Sequence, residues 1–444
     1  MNMHKGMRVA AALLVLPLVA RSAAPTREVS CRAELDRGVL RADAQNTAVV
    51  KITLEAPPPP ELKERPPVNL CLVLDRSGSM SGPKIEKAKA AAIEAVRRLG
   101  PDDLVALVMF DHEVETLVPA QSAANSEWIE SRIRGITSRG NTAIYGAVSQ
   151  GAAEVRKHLG GRFVSRILLL SDGLANVGPH QPGDFGRLGA SLLKEGVSVT
   201  TVGVGTDYNE DLMAQLAQNS DGNTYFVEDS RDLPRIFAAE LGDVLSVVAR
   251  EVKILIRCTD GVKPLRIIGR EGVVHADTVE LYLNQLYGGQ EKYVLVEVEV
   301  PPTAHDQTRD LCRARVDYEN LLTRKASQAS AIAQARFSQA DEDVRKSANV
   351  AVQYNFYLNR IAEAKDRSVE LSDQGRRQQA ALLLKGVSAD YKKWAESNAV
   401  PAAAAEADKL QTQADQIGAA GYNNLSRKAA RAESQQIRNQ QYSK

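Results

Sequence analysis

The chain divides by the period of its hydrophobic positions. From Val68 to about Leu245, unbroken apolar runs of strand length alternate with segments whose apolar residues recur every three or four positions. Unbroken apolar runs are typical of strands covered on both faces, and alternating strands and helices are typical of a parallel sheet. We therefore predict a doubly wound, mostly parallel six-stranded α/β sheet. Its strands are predicted at Val68–Leu74, Leu104–Phe110, Glu113–Val118, Ile167–Leu170, Val197–Val204 and Thr224–Val227. Its helices are predicted near Lys84–Leu99, Ser126–Gly135, Ala143–His158, Phe185–Lys194, Glu210–Gln218 and Asp232–Leu245.

The pattern on either side of this region is that of smaller, antiparallel β structure. The stretch Val49–Leu54 is rich in β-branched residues, and strand-like alternation returns after Leu245. We expect the two parts to complete one small β-sandwich, with the α/β domain inserted between them. The later strands are predicted at Val252–Cys258, Leu265–Ile268, Thr278–Leu283, Tyr293–Val300 and Cys312–Val316.

The C-terminal part has a different composition. From about Ala326 it is rich in Ala, Gln, Glu, Lys and Arg, which favour helices. We predict a helical hairpin and tail packed on the body, with a peptide-binding helical repeat as the alternative. The basic last stretch, which includes Arg427 and Lys428, is expected to be a solvated, frayed end, with contact to an acidic surface as the alternative. The predicted units are 1–24, a signal peptide; 25–66 and 247–320, the two parts of the sandwich; 67–246, the α/β domain; and 321–444, the helical region.

The first residues have the form of a secretory signal. Lys5 and Arg8 precede the apolar run Val9–Ala20, and small residues follow at Ser22–Ala24. The run is too short to span a bilayer comfortably, and an uncleaved anchor is the alternative. We expect an exported protein, periplasmic or extracellular in the cell envelope, with no integral membrane span after signal removal. The net charge of +1 gives no argument for a nucleic-acid partner.

An oxidising compartment would permit disulfides among the four cysteines. Cys71 lies inside a predicted buried strand and is interpreted as a small core residue. One bridge among Cys31, Cys258 and Cys312 is plausible, and the pairing stays open at this point. The spacing of the cysteines fits neither a zinc site nor a disulfide scaffold.

Oxygen-bearing side chains follow the strands of the predicted sheet where a ligand site is expected. Asp75, Ser77 and Ser79 come directly after the first strand, Thr142 opens a helix, and Asp172 ends another strand. In open α/β sheets the ligand site lies outside the carboxyl ends of the strands. A hard divalent cation takes about six oxygen ligands. The sequence therefore predicts a metal site at this end of the sheet.

These residues carry a resemblance to a known family. The pattern Asp75-x-Ser77-x-Ser79, then Thr142, then Asp172 with Gly173, resembles the metal-ion-dependent adhesion site (MIDAS) of von Willebrand factor type A (VWA) domains. Within that family, the sequence resembles secreted bacterial proteins that are similar to inter-alpha-trypsin inhibitor heavy chains and to calcium-activated chloride channel homologues. Further support comes from Thr200–Gly205 and Gly222–Val227; the one departure is Asn141, where such proteins often have glycine.

The resemblance implies a division of labour at the metal. Ser77, Ser79 and Thr142 would offer hydroxyl oxygens, while Asp75 and Asp172 would act directly or through waters. Neutral hydroxyls leave the charge of the ion poorly compensated, so a partner's Asp or Glu carboxylate is a favoured last ligand. Mg²⁺ suits these hard oxygens, with Mn²⁺ or Ca²⁺ as alternatives.

We expect an exported, metal-dependent protein-binding module for adhesion or scaffolding, and not an enzyme. Two other function classes compete with it. One is a scaffold with a purely structural metal, whose helical tail or sandwich binds the partners. The other is a hydrolase that activates water on the Asp75 metal, although the sequence offers no visible general base.

Overall fold

The computed structural model describes residues 27–59, 65–160 and 162–440. The predicted signal segment 1–24 lies outside the described residues. The strands, numbered in chain order, are β1 (Ser30–Leu35), β2 (Val39–Arg41), β3 (Asn46–Glu55), β4 (Val68–Asp75), β5 (Leu104–Phe110), β6 (Val114–Ser122), β7 (Val164–Ser171), β8 (Val197–Val204), β9 (Thr224–Val227), β10 (Val247–Cys258), β11 (Lys263–Ile268), β12 (Val273–His275), β13 (Thr278–Tyr287), β14 (Glu291–Val300), β15 (Thr308–Asn320) and β16 (Lys325–Ser338). The helices are α1 (Pro83–Arg97), α2 (Ser126–Arg134), α3 (Ile144–Arg156), α4 (Pro182–Lys194), α5 (Glu210–Asn219), α6 (Leu233–Val244), α7 (Asp341–Lys346), α8 (Val350–Asp373), α9 (Arg377–Ser397), α10 (Pro401–Ala420) and α11 (Asn424–Arg438).

The central sheet has six strands in the order β6-β5-β4-β7-β8-β9. All pairs are parallel except β5 with β6. Alternate residues of β4 face opposite helix layers: Leu72 packs in the core with α1, α2 and α6, and Val73 in the core with α3, α4 and α5. Both faces are therefore covered, which is why the strand sequence shows no polar alternation. The predicted doubly wound α/β sheet is confirmed.

Two mostly antiparallel sheets, in which β16 and β2 pair in parallel, share one core beside this domain. One has the order β1-β3-β14-β11, and the other the order β12-β13-β10-β15-β16-β2. Ile52 of the first sheet and Ile254 of the second lie in the same buried cluster. Because each sheet combines strands from before and after residues 68–244, the α/β domain is an insertion in the sandwich. Cys258 and Cys312 lie opposite each other on β10 and β15, with their Sγ atoms 3.2 Å apart as free thiols.

One prediction from composition is wrong. Helix was expected from residue 321 onward, but Lys325–Ser338 forms strand β16, which pairs along its length with β15. Ala333 and Ala335 are buried and Gln334 between them is exposed, which is the alternation of a strand. The long neighbouring strand supplies hydrogen bonds and a core face, and this tertiary pairing outweighs the helix propensity of alanine and glutamine.

The remaining C-terminal residues form helices α7–α11, and the last of them is not frayed. Lys428 of α11 is only 4% exposed and its Nζ lies 2.5 Å from Glu210 Oε2 at the start of α5. Arg427 also pairs with Glu210 and with Asp211. The expectation of a solvated end failed because these acidic partners lie more than two hundred positions away in the sequence. Among the described helices, none combines the length and apolar character that crossing a membrane requires.

Candidate metal centre

Strands β4 and β7 bring the two predicted acidic residues together. The strands pair in parallel, with Leu74 opposite Leu170, so Asp75 and Asp172 emerge at the same end of the sheet. Both carboxylates have no exposed surface. The two strands are neighbours, so these carboxylates lie at the end of the sheet where the sequence predicts the metal site.

The loop after β4 folds so that its two serines point toward the same place. The backbone N–H of Ser77 donates to Asp75 Oδ1 at 2.7 Å, which starts a single 3-10 turn over Gly78–Met80. The side chain of Met80 is fully buried and anchors the turn. As a result Ser77 Oγ and Ser79 Oγ lie 3.0 Å apart, and Ser79 Oγ donates to Asp172 Oδ1 at 2.6 Å.

The third segment places Thr142 beside them. Its loop is tied down by backbone hydrogen bonds, including Gly78 N–H to Gly140 O at 3.0 Å, and Thr142 N–H donates to Asn176 Oδ1 at 2.8 Å. A Cβ atom built on Gly173 would lie 2.9 Å from Thr142 Oγ1 and 3.6 Å from Ser79 Oγ. The hydroxyls of two distant loops thus converge on one glycine.

The electrostatics of this cluster suit a cation. Burial raises the pKa of Asp75 to about 6, although hydrogen bonds from Ser171 and Ser77 oppose the rise. Removing buried carboxylates from water is costly unless a positive charge lies near them. Two carboxylates and three hydroxyls form a hard-oxygen set, and they fit Mg²⁺, Mn²⁺ or Ca²⁺ better than a soft metal.

Two residues that sequence reasoning missed belong to the site. Ser171 Oγ donates to Asp75 Oδ2, and Lys84 Nζ lies 2.5 Å from Asp172 Oδ2. Lys84 is the second residue of α1, directly after Pro83. The helix dipole disfavours a positive charge in the first turn of a helix. A lysine at this position therefore indicates, already in the sequence, that an anionic partner lies nearby.

A neighbouring ion network fixes the loops around the site. Asp111 Oδ2 accepts from Arg76 Nε at 2.8 Å and from Arg139 Nε at 2.9 Å. Burial alone would raise the pKa of Asp111, but the Glu113 N–H and the two arginines hold it below its ordinary value. His112 lies 3.0 Å from the same carboxylate. Because Asp111 already has these partners, we assign this ion network a structural role.

The fold and these residues define a class: an α/β domain with acidic and hydroxyl side chains gathered at the carboxyl end of its central strands. Residues 69–239 match the von Willebrand factor type A domain model. The α/β part of this chain is therefore a VWA domain.

Two curated relatives match about two fifths of the chain, a length similar to that of this domain. An uncharacterized Synechocystis protein is 34% identical over 39% of this chain and 40% of its own length. The human inter-alpha-trypsin inhibitor heavy chain H4 is 30% identical over 37% of this chain and 19% of its own length. The chain thus spans less than half the length of these relatives. A solved von Willebrand factor type A protein from Catenulispora acidiphila has a TM-score of 0.68 at 16% identity, covering 86% of this chain and 90% of its own. That likeness shows a shared fold that extends beyond the α/β domain.

Proposed function

We propose that the protein binds partners by capturing an Asp or Glu side chain through a divalent cation. The cation would be held by Asp75, Ser77, Ser79, Thr142 and Asp172. The observation that carries the proposal is the convergence of three separate loops on one point at the carboxyl end of the sheet.

The donor set explains why the captured group would be acidic. Three of the five side chains are neutral hydroxyls, and one carboxylate, Asp172, already shares an oxygen with Lys84. A divalent ion held by such a set keeps net positive charge. A carboxylate from outside therefore gains more than a neutral ligand would. The expected role is binding, with the ion as the bridge and no bond made or broken.

Metal and partner binding can be separated by one experiment. Mg²⁺ and Mn²⁺ are titrated into residues 25–444 by calorimetry, and the loaded protein is then passed over peptides that each carry one Glu or its Gln counterpart. We expect saturable metal binding and retention of the Glu peptides only, reversed by a chelator. Asp75→Ala should abolish both.

Thr142→Ala tests the metal site more specifically than Asp75→Ala, because it removes a proposed ligand without removing a charge. We expect metal affinity to fall by about 10–100-fold with little change in melting temperature. Thr137→Ala, at an exposed position in the preceding loop, is the matched control. Normal metal binding without peptide retention would favour a structural metal, and absence of saturable metal binding in the wild type would overturn the proposal.

We further propose that the protein is exported, on the basis of the basic start and apolar run of residues 1–24. The test is fractionation of a bacterium that expresses the tagged chain, with the N-terminus of the product read by mass spectrometry. Export and cleavage near Ala24 are expected. Leu14→Arg, which interrupts the apolar run, should retain the uncleaved chain in the cytoplasm. Equal localisation of both forms would refute export through this segment.

A further inference from the structure

Helix α11 docks on the loop that follows strand β8, and Lys428 makes the central contact. The Lys428 ammonium donates to the backbone carbonyl of Tyr208 and to Glu210 Oε2, each at 2.5 Å. It also lies 4.4 Å from the centre of the Tyr208 ring. All three residues are buried, and a buried ammonium is stable only with such partners. Lys428 therefore holds the backbone and the ring of Tyr208 in one place.

Further ion pairs keep α11 against the start of α5. Arg427 lies 2.6 Å from Asp211, and Arg431 lies 2.9 Å from the other oxygen of the same carboxylate. Acidic residues are favoured in the first turn of a helix, and here they also match the basic face of α11. The helix therefore has contacts that remain when Lys428 alone is replaced.

The Tyr208 ring lies directly on Gly203 of β8. A Cβ atom built on Gly203 would lie 2.2 Å from Cζ of the ring, so the ring occupies the space of a side chain at this position. Gly203 is opposite Ser171 in the parallel pairing of β7 with β8. Paired residues of neighbouring strands project to the same face of a sheet. The ring therefore lies beside the side chain of Ser171.

Ser171 is the residue that connects this packing to the metal centre. Its Oγ donates to Asp75 Oδ2, while the N–H of Ser77 donates to Asp75 Oδ1. These two hydrogen bonds fix the orientation of the Asp75 carboxylate. A continuous set of contacts thus runs from Lys428 through Tyr208 and Ser171 to a predicted metal ligand.

We propose that Lys428 is a positioning residue for the metal centre, so that docking of α11 raises the affinity for the cation. The inference rests on the proposed function, because it concerns the same ion. Lys428 keeps the Tyr208 ring over Gly203, and the ring keeps the Ser171 hydroxyl directed at Asp75. Without Lys428 the ring gains freedom, and the carboxylate loses part of its fixed orientation.

The first test is calorimetric titration of Mn²⁺ into residues 25–444. Lys428→Met should weaken metal binding by about 3–10-fold, less than the loss of a group that touches a ligand directly. Lys428→Arg keeps the charge and should restore most of the affinity. Lys393→Met makes the same replacement at an exposed position on α9 and should bind Mn²⁺ as the wild type does.

A second pair of variants tests the ring itself and protects the test if Lys428→Met fails to fold. Tyr208→Leu leaves Lys428 and its partner Glu210 in place but removes the ring from Gly203. Tyr208→Phe keeps the ring. We expect Tyr208→Phe to bind Mn²⁺ several-fold more tightly than Tyr208→Leu. Equal affinities of these two variants would overturn the role given to the ring.

Hydrogen exchange of the metal-free protein separates this inference from the proposed function. In Lys428→Met, amides of residues 74–80 should exchange faster than in the wild type, while those of 247–258 in the sandwich should not change. Faster exchange confined to α11 and α5, or unchanged Mn²⁺ affinity in Lys428→Met, would overturn the inference. If the wild type bound no metal, the proposed function would fail, and exchange at 74–80 would still support or overturn the positioning of that loop by Lys428.

Discussion

Lys84 gives the most direct test of the electrostatics at the metal centre. Its ammonium lies 2.5 Å from Asp172 Oδ2, while Ser79 takes the other oxygen of the same carboxylate. A divalent ion at this centre would compete with the lysine for Asp172. We therefore expect Lys84→Met to bind Mg²⁺ or Mn²⁺ more tightly than the wild type.

The size of the effect follows from the ion pair. Two unit charges about 4 Å apart attract by about 4 kcal/mol at the effective dielectric of a protein surface. The Lys84 side chain is 30% exposed, and solvent screening reduces the usable part to about 1–2 kcal/mol. At 1.4 kcal/mol per tenfold, metal affinity should rise about 5–30-fold.

The assay is calorimetric titration of the metal, with Lys87→Met as the control. Lys87 is exposed on the same helix, and its replacement removes the same charge one turn away. A second readout is the rise in melting temperature on metal addition, which should be larger in Lys84→Met because metal-free Asp172 has lost its counter-charge. Unchanged or weaker metal binding in Lys84→Met would refute the competition and show that the lysine instead holds Asp172 for the ion.

Three further predictions follow from single contacts. Gly173→Ala should weaken metal binding by about tenfold or more, because its Cβ would meet Thr142 Oγ1 at 2.9 Å; calorimetry with an unchanged far-UV spectrum checks this. The lowered pKa of Lys292, about 7 against 10.5 when unfolded, makes the unfolded state bind more protons above neutrality. Stability should therefore rise from about pH 7 to about pH 9 by up to about 2–3 kcal/mol, a slope that urea unfolding should find missing in Lys292→Met. Oxidised glutathione should link Cys258 to Cys312, read as a two-dalton mass loss that Cys258→Ala abolishes, since their Sγ atoms lie 3.2 Å apart.

The parts of the fold that could be predicted are the strands that are buried on both faces of the sheet. The strands at Leu104–Phe110 and Val197–Val204 begin and end where the apolar runs do, because helices cover both faces of the sheet. The convergence of Asp75 and Asp172 was predictable for a related reason: strands that run in parallel must end at the same edge. Local pattern and global topology agree at these positions.

The parts that could not be predicted depend on contacts between distant residues. Strand β16 was predicted as helix because its composition favours helices. Its pairing with β15, which makes it a strand, is not visible in the composition. Lys428 was taken for a solvated residue because Glu210 lies far from it in sequence.

The two ends of the central sheet have different surroundings, because one faces the sandwich and the other carries the metal residues. Near the amino end of β7, Arg166 Nη2 donates to Tyr287 of the sandwich at 2.6 Å, and Ser198 near the start of β8 accepts from Asn284 at 2.5 Å. At the other end β7 leads directly into Asp172. Because the inserted domain enters from and returns to the sandwich, its docking contacts gather at the amino ends of the strands, and the carboxyl ends point away from it. This arrangement turns the loop after β4 away from the sandwich, where Ser79 is exposed although Asp75 and Asp172 have no exposed surface.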